Sequence, residues 1–144
     1  MHKKKYSRSD FDFWVNMETR WRDLDALRHV NHATFLTLME SARLDLYRDL
    51  GMDKERWLSQ TSTILGGMEI SWLQQVNHPS KLDIGQRLTR IGTTSFDLLT
   101  GIFRKNESSP VCIALFKLIT FDFETNSPVP VPNSFHNRLN PFER

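Results

Sequence analysis

The stretch Trp21–Leu36, "WRDLDALRHVNHATFL", decides how the chain is read. Before it, "FDFWVNMETRW" sets Phe11, Phe13, Val15 and Met17 at every second position, the period of a strand with one buried face. After it, Phe35, Met39, Ala42, Leu46 and Leu50 recur at steps of three and four, opposite Thr34, Ser41, Asp45 and Arg48. Two aspartates and two histidines therefore crowd the point where a strand gives way to a helix. Polar groups there cost free energy if they do nothing but hold the fold together.

The local pattern predicts a strand from about Phe11 to Arg22 and a helix of about five turns beginning after Asn31. Asn31 suits an N-cap, since its side-chain oxygen can accept from an amide one turn in, and Gly51 can take the left-handed conformation that closes a helix. Leu36, Leu38, Leu44 and Tyr47 widen the apolar arc, so the helix is expected to be wrapped on several sides. A linker is expected near "MDKERWLSQ". Four β-like segments follow, roughly Ser62 to Leu73, Leu82 to Ile91, Ser95 to Arg104 and Val111 to Phe123. In "SFDLLTGIFR" and "VCIALFKLITFDF" apolar residues fill both alternating sets, which marks strands covered on both faces. "IGTTS" and "KNESSP" carry turn residues at hairpin spacing and favour antiparallel neighbours. The tail from Glu124, with four of the six prolines, is expected to leave the sheet and run irregularly. The sum is a single α+β domain over residues 1–144, a curled antiparallel sheet around one long helix.

Composition removes several classes of function. Nineteen basic against seventeen acidic residues leave +2 at pH 7, with the excess concentrated at "HKKK" and Arg8, too little for a nucleic-acid stripe. No run approaches a membrane span, and the basic N-terminus leads into alternation rather than a continuous apolar segment. The single cysteine, Cys112, lies in the apolar run "PVCIALF" and reads as a small buried hydrophobe, so the expected setting is a reducing cytoplasm.

At the junction, the first amides of a helix and its dipole form a ready anion site, and a carboxylate beside such amides is what acyl transfer to water requires. Asp23 and Asp25 point the same way if the strand persists; if it has ended, Asp25 is free to turn toward the helix terminus. The spacing alone leaves the chemistry open.

The residues also carry a resemblance. "RWRDLDALRHVNHATFLTLMESARLDLYRDLG" resembles the acyl-CoA thioesterases of the hotdog fold, in particular the 4-hydroxybenzoyl-CoA thioesterase-like group. "EISWLQQVNHPSKLDIGQRLTRIG" resembles the second and third strands of that family, and "FDFETNSPVPVP" the end of its last strand, so nearly the whole chain is covered. The resemblance implies hydrolysis of an acyl-CoA or acyl carrier protein thioester, homodimers or homotetramers with sites between subunits, and no cofactor beyond the coenzyme A of the substrate. Carried over by position, the catalytic carboxylate falls on Asp25, and the helix-start amide that polarises the thioester carbonyl falls on His32. His29 and Ala33 flank these as substrate contacts. Arg28 departs from the family, which commonly has glycine ahead of "HVN".

Other residues have plainer readings. Asp23 reads as structural, and Glu40 with Arg43 as an (i, i+3) ion pair. Trp14, Trp57 and Trp72 read as core or subunit-interface residues. Arg90 with Thr93, Thr94 and Ser95 could meet the phosphates of coenzyme A at a strand end, although a solvated hairpin explains the same composition. His29 and His32 have no nearby Cys/His cluster, so no metal is expected. No Gly-x-Ser-x-Gly elbow, phosphate loop or His-Glu-x-x-His motif is present. The alternatives on the same scaffold are a non-catalytic acyl-thioester-binding module, a ligand-sensing transcription factor, which needs a DNA-binding domain, and a dehydratase, which needs a paired Asp and His.

Overall fold

The computed structural model describes residues 5–52 and 61–143. Trp57 and most of the expected linker lie outside the described residues. Strand β1 (Phe13–Glu18) leads through a 3-10 turn at Trp21–Asp23 into helix α1 (His32–Asp49). Strands β2 (Thr61–Trp72), β3 (Lys81–Ile91), β4 (Ser95–Arg104), β5 (Pro110–Asp122) and the short β6 (Ser127–Pro128) complete one antiparallel sheet. The strand order is β1-β3-β4-β5-β2, with β6 on β5. Among the described residues no helix is long and apolar enough to cross a membrane.

Both helix ends form as their residues dictate. The Asn31 side chain accepts from the Ala33 amide, and Gly51 stands at φ +85 just beyond the last turn. The first strand, expected from about Phe11 to Arg22, is shorter. The Asp23 carboxylate accepts from the Arg20 amide at 2.7 Å and from its guanidinium at 2.8 Å, which curls the chain out of the sheet after Glu18.

The sheet curls around α1 and is covered on both faces, as the doubled apolar pattern of β4 and β5 requires. Facing the helix are Phe96, Leu98, Ile102, Cys112, Ala114, Phe116 and Leu118, in one cluster with Phe35, Met39, Ala42 and Leu46. On the outer face Leu99, Phe103 and Ile113 pack with Phe11 and with Tyr6, Trp14 and Phe142. Phe11 settles over the paired Gly85 and Gly101, where an added Cβ would lie 2.7 Å from its side chain at either position. Trp14 is partly buried against this outer cluster, its ring 5.6 Å from that of Phe103. Cys112 is fully buried, and burial pushes its thiol up to about 12.

The tail is more ordered than its prolines suggest. It adds β6 to the sheet edge of β5 and then a 3-10 helix at Asn133–Arg138. That helix drops Phe135 into the core, 5.0 Å from the Phe96 ring. One anchoring aromatic side chain fixes a segment whose backbone has no periodic signal.

Candidate active site

Residues 23 to 31 form a closed hairpin at the mouth of α1. Leu24 and Val30 bridge, the Asp25 amide donates to the His29 carbonyl at 2.9 Å, and the Asn31 amide to the Asp23 carbonyl at 2.8 Å. At the tip, the Arg28 amide donates to the Asp25 carbonyl at 3.0 Å, closing a turn that ends with Arg28 at φ +65. A turn followed by one left-handed residue is a standard three-residue hairpin loop, and glycine is the usual occupant of its last position. Arg28 therefore keeps the loop that glycine would make, in a conformation few side chains adopt. The His29–Asn77 bridge and the Val30 amide on the Val76 carbonyl, at 2.8 Å, seat this hairpin against the segment before β3.

The two aspartates separate into two environments. Asp23 is buried and spends its oxygens on Arg20. Burial works to raise its pKa, but hydrogen bonds from the Arg20 side chain and amide, with the charges of Arg20 and Arg22, outweigh that and hold the carboxyl below its ordinary value. Asp25 is exposed on the loop. Its Oδ1 accepts from the Leu27 amide at 2.8 Å and the His29 amide at 3.3 Å, whereas Oδ2 has no partner among the described residues. One oxygen orients the group; the other is open to a ligand or water.

At the helix start, the Asn31 cap takes the Ala33 amide at 2.9 Å and the Asn31 carbonyl takes that of Thr34 at 2.9 Å. Among the described residues the amide of His32 has no acceptor, so it is the donor left at the positive end of an 18-residue helix. Ala33, expected as a substrate contact, has its N–H already engaged by the cap. The His32 ring stacks on Trp72 with centroids 4.7 Å apart and planes at 20°, while Trp72 Nε1 donates to the His32 carbonyl at 3.3 Å. Trp72 thus packs on the start of the helix, although the sequence offered no reason to join it to a residue forty positions away.

The remaining expected contacts lie elsewhere in the same chain. Arg90 sits nine residues along β3 from Lys81, which at 3.3 Å per residue is about 30 Å from the end of the sheet that holds the hairpin. There the Arg90 guanidinium holds Asp97 through Nε at 2.9 Å and Nη2 at 3.0 Å, and Ser95 Oγ at 3.1 Å. Thr93 and Thr94 use their carbonyls to accept from Val131 and Thr120. Among the described residues no three His, Cys, Asp or Glu side chains converge as a metal site.

A long helix held in a curled antiparallel sheet is the hotdog architecture. Residues 19–139 match the model of the thioesterase-like superfamily, and the chain belongs to that family. The thioester-hydrolase class expected from the sequence is the class this family defines. The PA5185 protein of Pseudomonas aeruginosa superposes with a TM-score of 0.85 at 18% identity over 94% of both chains. A thioesterase from Thermus thermophilus, solved in complex with coenzyme A and zinc, is 27% identical, with a TM-score of 0.73 over 90% of this chain and 92% of its own. The uncharacterized protein YsmA of Bacillus subtilis (strain 168) is 25% identical over 91 residues, 63% of this chain and 60% of that protein. The chain thus aligns with less than two thirds of this curated relative.

Proposed function

We propose that the protein hydrolyses the thioester of an acyl-coenzyme A, with Asp25 and the amide of His32 as the working groups. The observation that carries this reading is a pair of groups without partners among the described residues: the amide at the start of α1, and Oδ2 of a carboxylate fixed through Oδ1. The thioester carbonyl oxygen accepts from the His32 amide, which stabilises the charge that develops as the carbon becomes tetrahedral. Asp25 Oδ2 takes a proton from the attacking water, the tetrahedral intermediate collapses with cleavage of the C–S bond, and the departing thiolate takes the proton back from Asp25, giving a carboxylic acid and coenzyme A. Direct attack by the same oxygen would use the same two residues. A purely acyl-binding module gains nothing from the open carboxylate oxygen. The likeness to a thioesterase bound to coenzyme A favours that thiol over an acyl carrier protein as the leaving group.

Assembly follows from the sheet edge. β2 lies last in the strand order, and its twelve residues carry exposed Ile64, Leu65, Met68 and Trp72 on both faces. An unpaired edge of this length calls for a partner, and two-fold antiparallel pairing of β2 with a second β2 supplies one. In that pairing the Ile64 end of one strand meets the Trp72 end of the other. The β3–β4 hairpin, whose Ser95 registers through Ile119 with Ile64, then comes to the end where the other subunit's α1 begins. Arg90, Thr93 and Thr94 reach coenzyme A only in this way, across a dimer. Dimers or dimers of dimers in a reducing cytoplasm suit the lone buried Cys112.

A screen of short, long and aromatic acyl-CoAs for thiol release tests the activity. His32→Ala, which keeps the amide, should retain turnover within about tenfold; loss by three orders of magnitude in folded protein would move the role to the imidazole. Light scattering at micromolar concentration tests assembly, and a monomer there would remove the shared site.

A further inference from the structure

His32 and Arg43 are eleven residues apart on α1, three turns plus about 20°, so both lie on one flank of the helix. That flank faces β2. At its start the His32 ring lies on Trp72, and near its end the Tyr47 hydroxyl bonds Thr63 Oγ1 at 2.9 Å. Between these contacts the two elements part. Leu65 and Met68 register beside buried Leu118 and Phe116 on the concave face, yet remain 49% and 44% exposed, because α1 does not cover them. Leu65, Met68 and Trp72 thus form an exposed apolar strip along the concave side of β2, and its Trp72 end lies on the His32 ring.

Arg43 lies beside Met68 of this strip. Its guanidinium carbon lies 4.9 Å from the centre of the Phe116 ring, beside Met68, and the residue is 8% exposed. Nη1 has no hydrogen-bond partner among the described residues. Nη2 meets Glu40 Oε2 only at 3.9 Å, and that carboxylate is largely in water. Among the described residues the other titratable neighbour is the Tyr47 phenol, which burial pushes up to about 12 and keeps neutral. A buried guanidinium with an unused donor is costly, and such a group is explained when a ligand brings the missing acceptor.

We propose that Arg43 is a specificity-determining residue that reads an oxygen at the distal end of the acyl group, so that the preferred substrates end in a carboxylate or hydroxyl rather than a methyl group. The inference rests on the thioesterase reading of Asp25 and His32, which places the carbonyl at the Trp72 end of the strip. Eleven residues span about 16 Å of helix axis, and side chains lean back toward the N-terminus, so the carbonyl and the distal oxygen are separated by about 10–15 Å. Shorter acyl groups do not reach. Preference for a polar end therefore has an optimum in chain length.

The test is calorimetric binding of hydrolysis-inert thioether analogues of acyl-CoA, in a graded length series ending in methyl, hydroxyl or carboxylate. Wild-type protein should bind a polar-ended analogue of matching length at least tenfold more tightly than its methyl-ended counterpart, and the hydroxyl and carboxylate arms identify which oxygen is preferred. Arg43→Met keeps the contact with Phe116 and should abolish the preference while leaving methyl-ended analogues within about threefold. Equal binding of polar and methyl ends by wild type, no binding of any polar-ended analogue, or a parallel loss for both ends in Arg43→Met would overturn the proposal. Should Arg43→Met fail to fold, the wild-type length series decides alone. Binding needs no turnover: retained preference without hydrolysis of any acyl-CoA would overturn the thioesterase reading and spare Arg43, and hydrolysis without preference would do the reverse.

Discussion

The two flanks of α1 are built from the same helix and serve opposite ends. Toward β3, Ala42 and Leu46 are closed against Gln86 and Leu88, and the Gln86 amide donates to the Ala42 carbonyl at 2.9 Å. Toward β2, His32 and Arg43 flank a strip in which Leu65, Met68 and Trp72 stay 40–49% exposed. The closed flank removes apolar surface from water and supplies stability at roughly 25 cal/mol per Å². The open flank gives up that gain and leaves room for a second molecule. Substitutions on the two sides should therefore fail differently, one set in turnover and the other in folding.

The largest expected effect is on the open side. Asp25→Asn keeps the side chain's size and its Oδ1 acceptor for the Leu27 and His29 amides, so the hairpin should survive. It removes the charge on the oxygen that meets water. On a substrate the parent turns over well, kcat should fall by roughly two to four orders of magnitude with the melting temperature nearly unchanged. Wild-type-like hydrolysis by Asp25→Asn would sink the mechanism.

The closed part of the molecule gives the next effect, and it is a stability effect. An added Cβ at Gly101 would lie 2.7 Å from the Phe11 ring and 3.0 Å from Ile113, both on the packed outer face. Gly101→Ala should cost about 1–3 kcal/mol in chemical denaturation. Turnover per folded molecule should hold, because the outer face is remote from the hairpin. A second change, Phe11→Leu, should recover part of the loss if the ring is what the methyl group strikes.

How much of this was legible in the sequence depended on the range over which each feature is determined. The Asn31 cap, the Gly51 terminus and the doubly covered β4 and β5 were readable because each is set by neighbouring residues. The end of β1 before Arg22 was not, since the alternation stops at Met17 and it is the Arg20–Asp23 contact that turns the chain out of the sheet. Phe135 was missed as core because one aromatic in a proline-rich tail has no period. The site divided in the same way. Asp25 and His32 sit in one contiguous stretch, whereas Trp72 joins them through a contact spanning forty residues. Arg43 read as an ordinary (i, i+3) partner of Glu40, and only its burial against Phe116 separates it from one.

Asp23→Asn is the matched control for Asp25→Asn and should move stability instead of rate. Its carboxyl is held below the ordinary value of 3.8 in the folded protein, so the stabilising contribution is present above that value and is lost as pH falls through the folded pKa. With Arg20 about half exposed, the neutral-pH cost of the substitution is about 1–2 kcal/mol. Denaturant midpoints of parent and variant should converge as pH is lowered below about 4. A gap that stays constant through that range would show that Asp23 acts through shape alone.

The smallest effect tests the joint between the two regions. Arg28 holds φ +65 at the hairpin's last turn position, where a side chain costs about 1–2 kcal/mol and glycine costs little. Glycine also loosens the unfolded chain, which offsets about 0.4–1 kcal/mol of the relief. Arg28→Gly should therefore change stability by less than about 1 kcal/mol, in the stabilising direction, and leave kcat unchanged because the backbone already has the geometry glycine prefers. The guanidinium has no protein partner among the described residues to lose. A rise in KM for acyl-CoA in this variant, with kcat constant, would assign the arginine to the ligand, in keeping with its exposed place at the mouth of the site. Destabilisation by more than about 1 kcal/mol would instead mean that the side chain itself holds the loop, and that this chain has replaced glycine's freedom with a contact of its own.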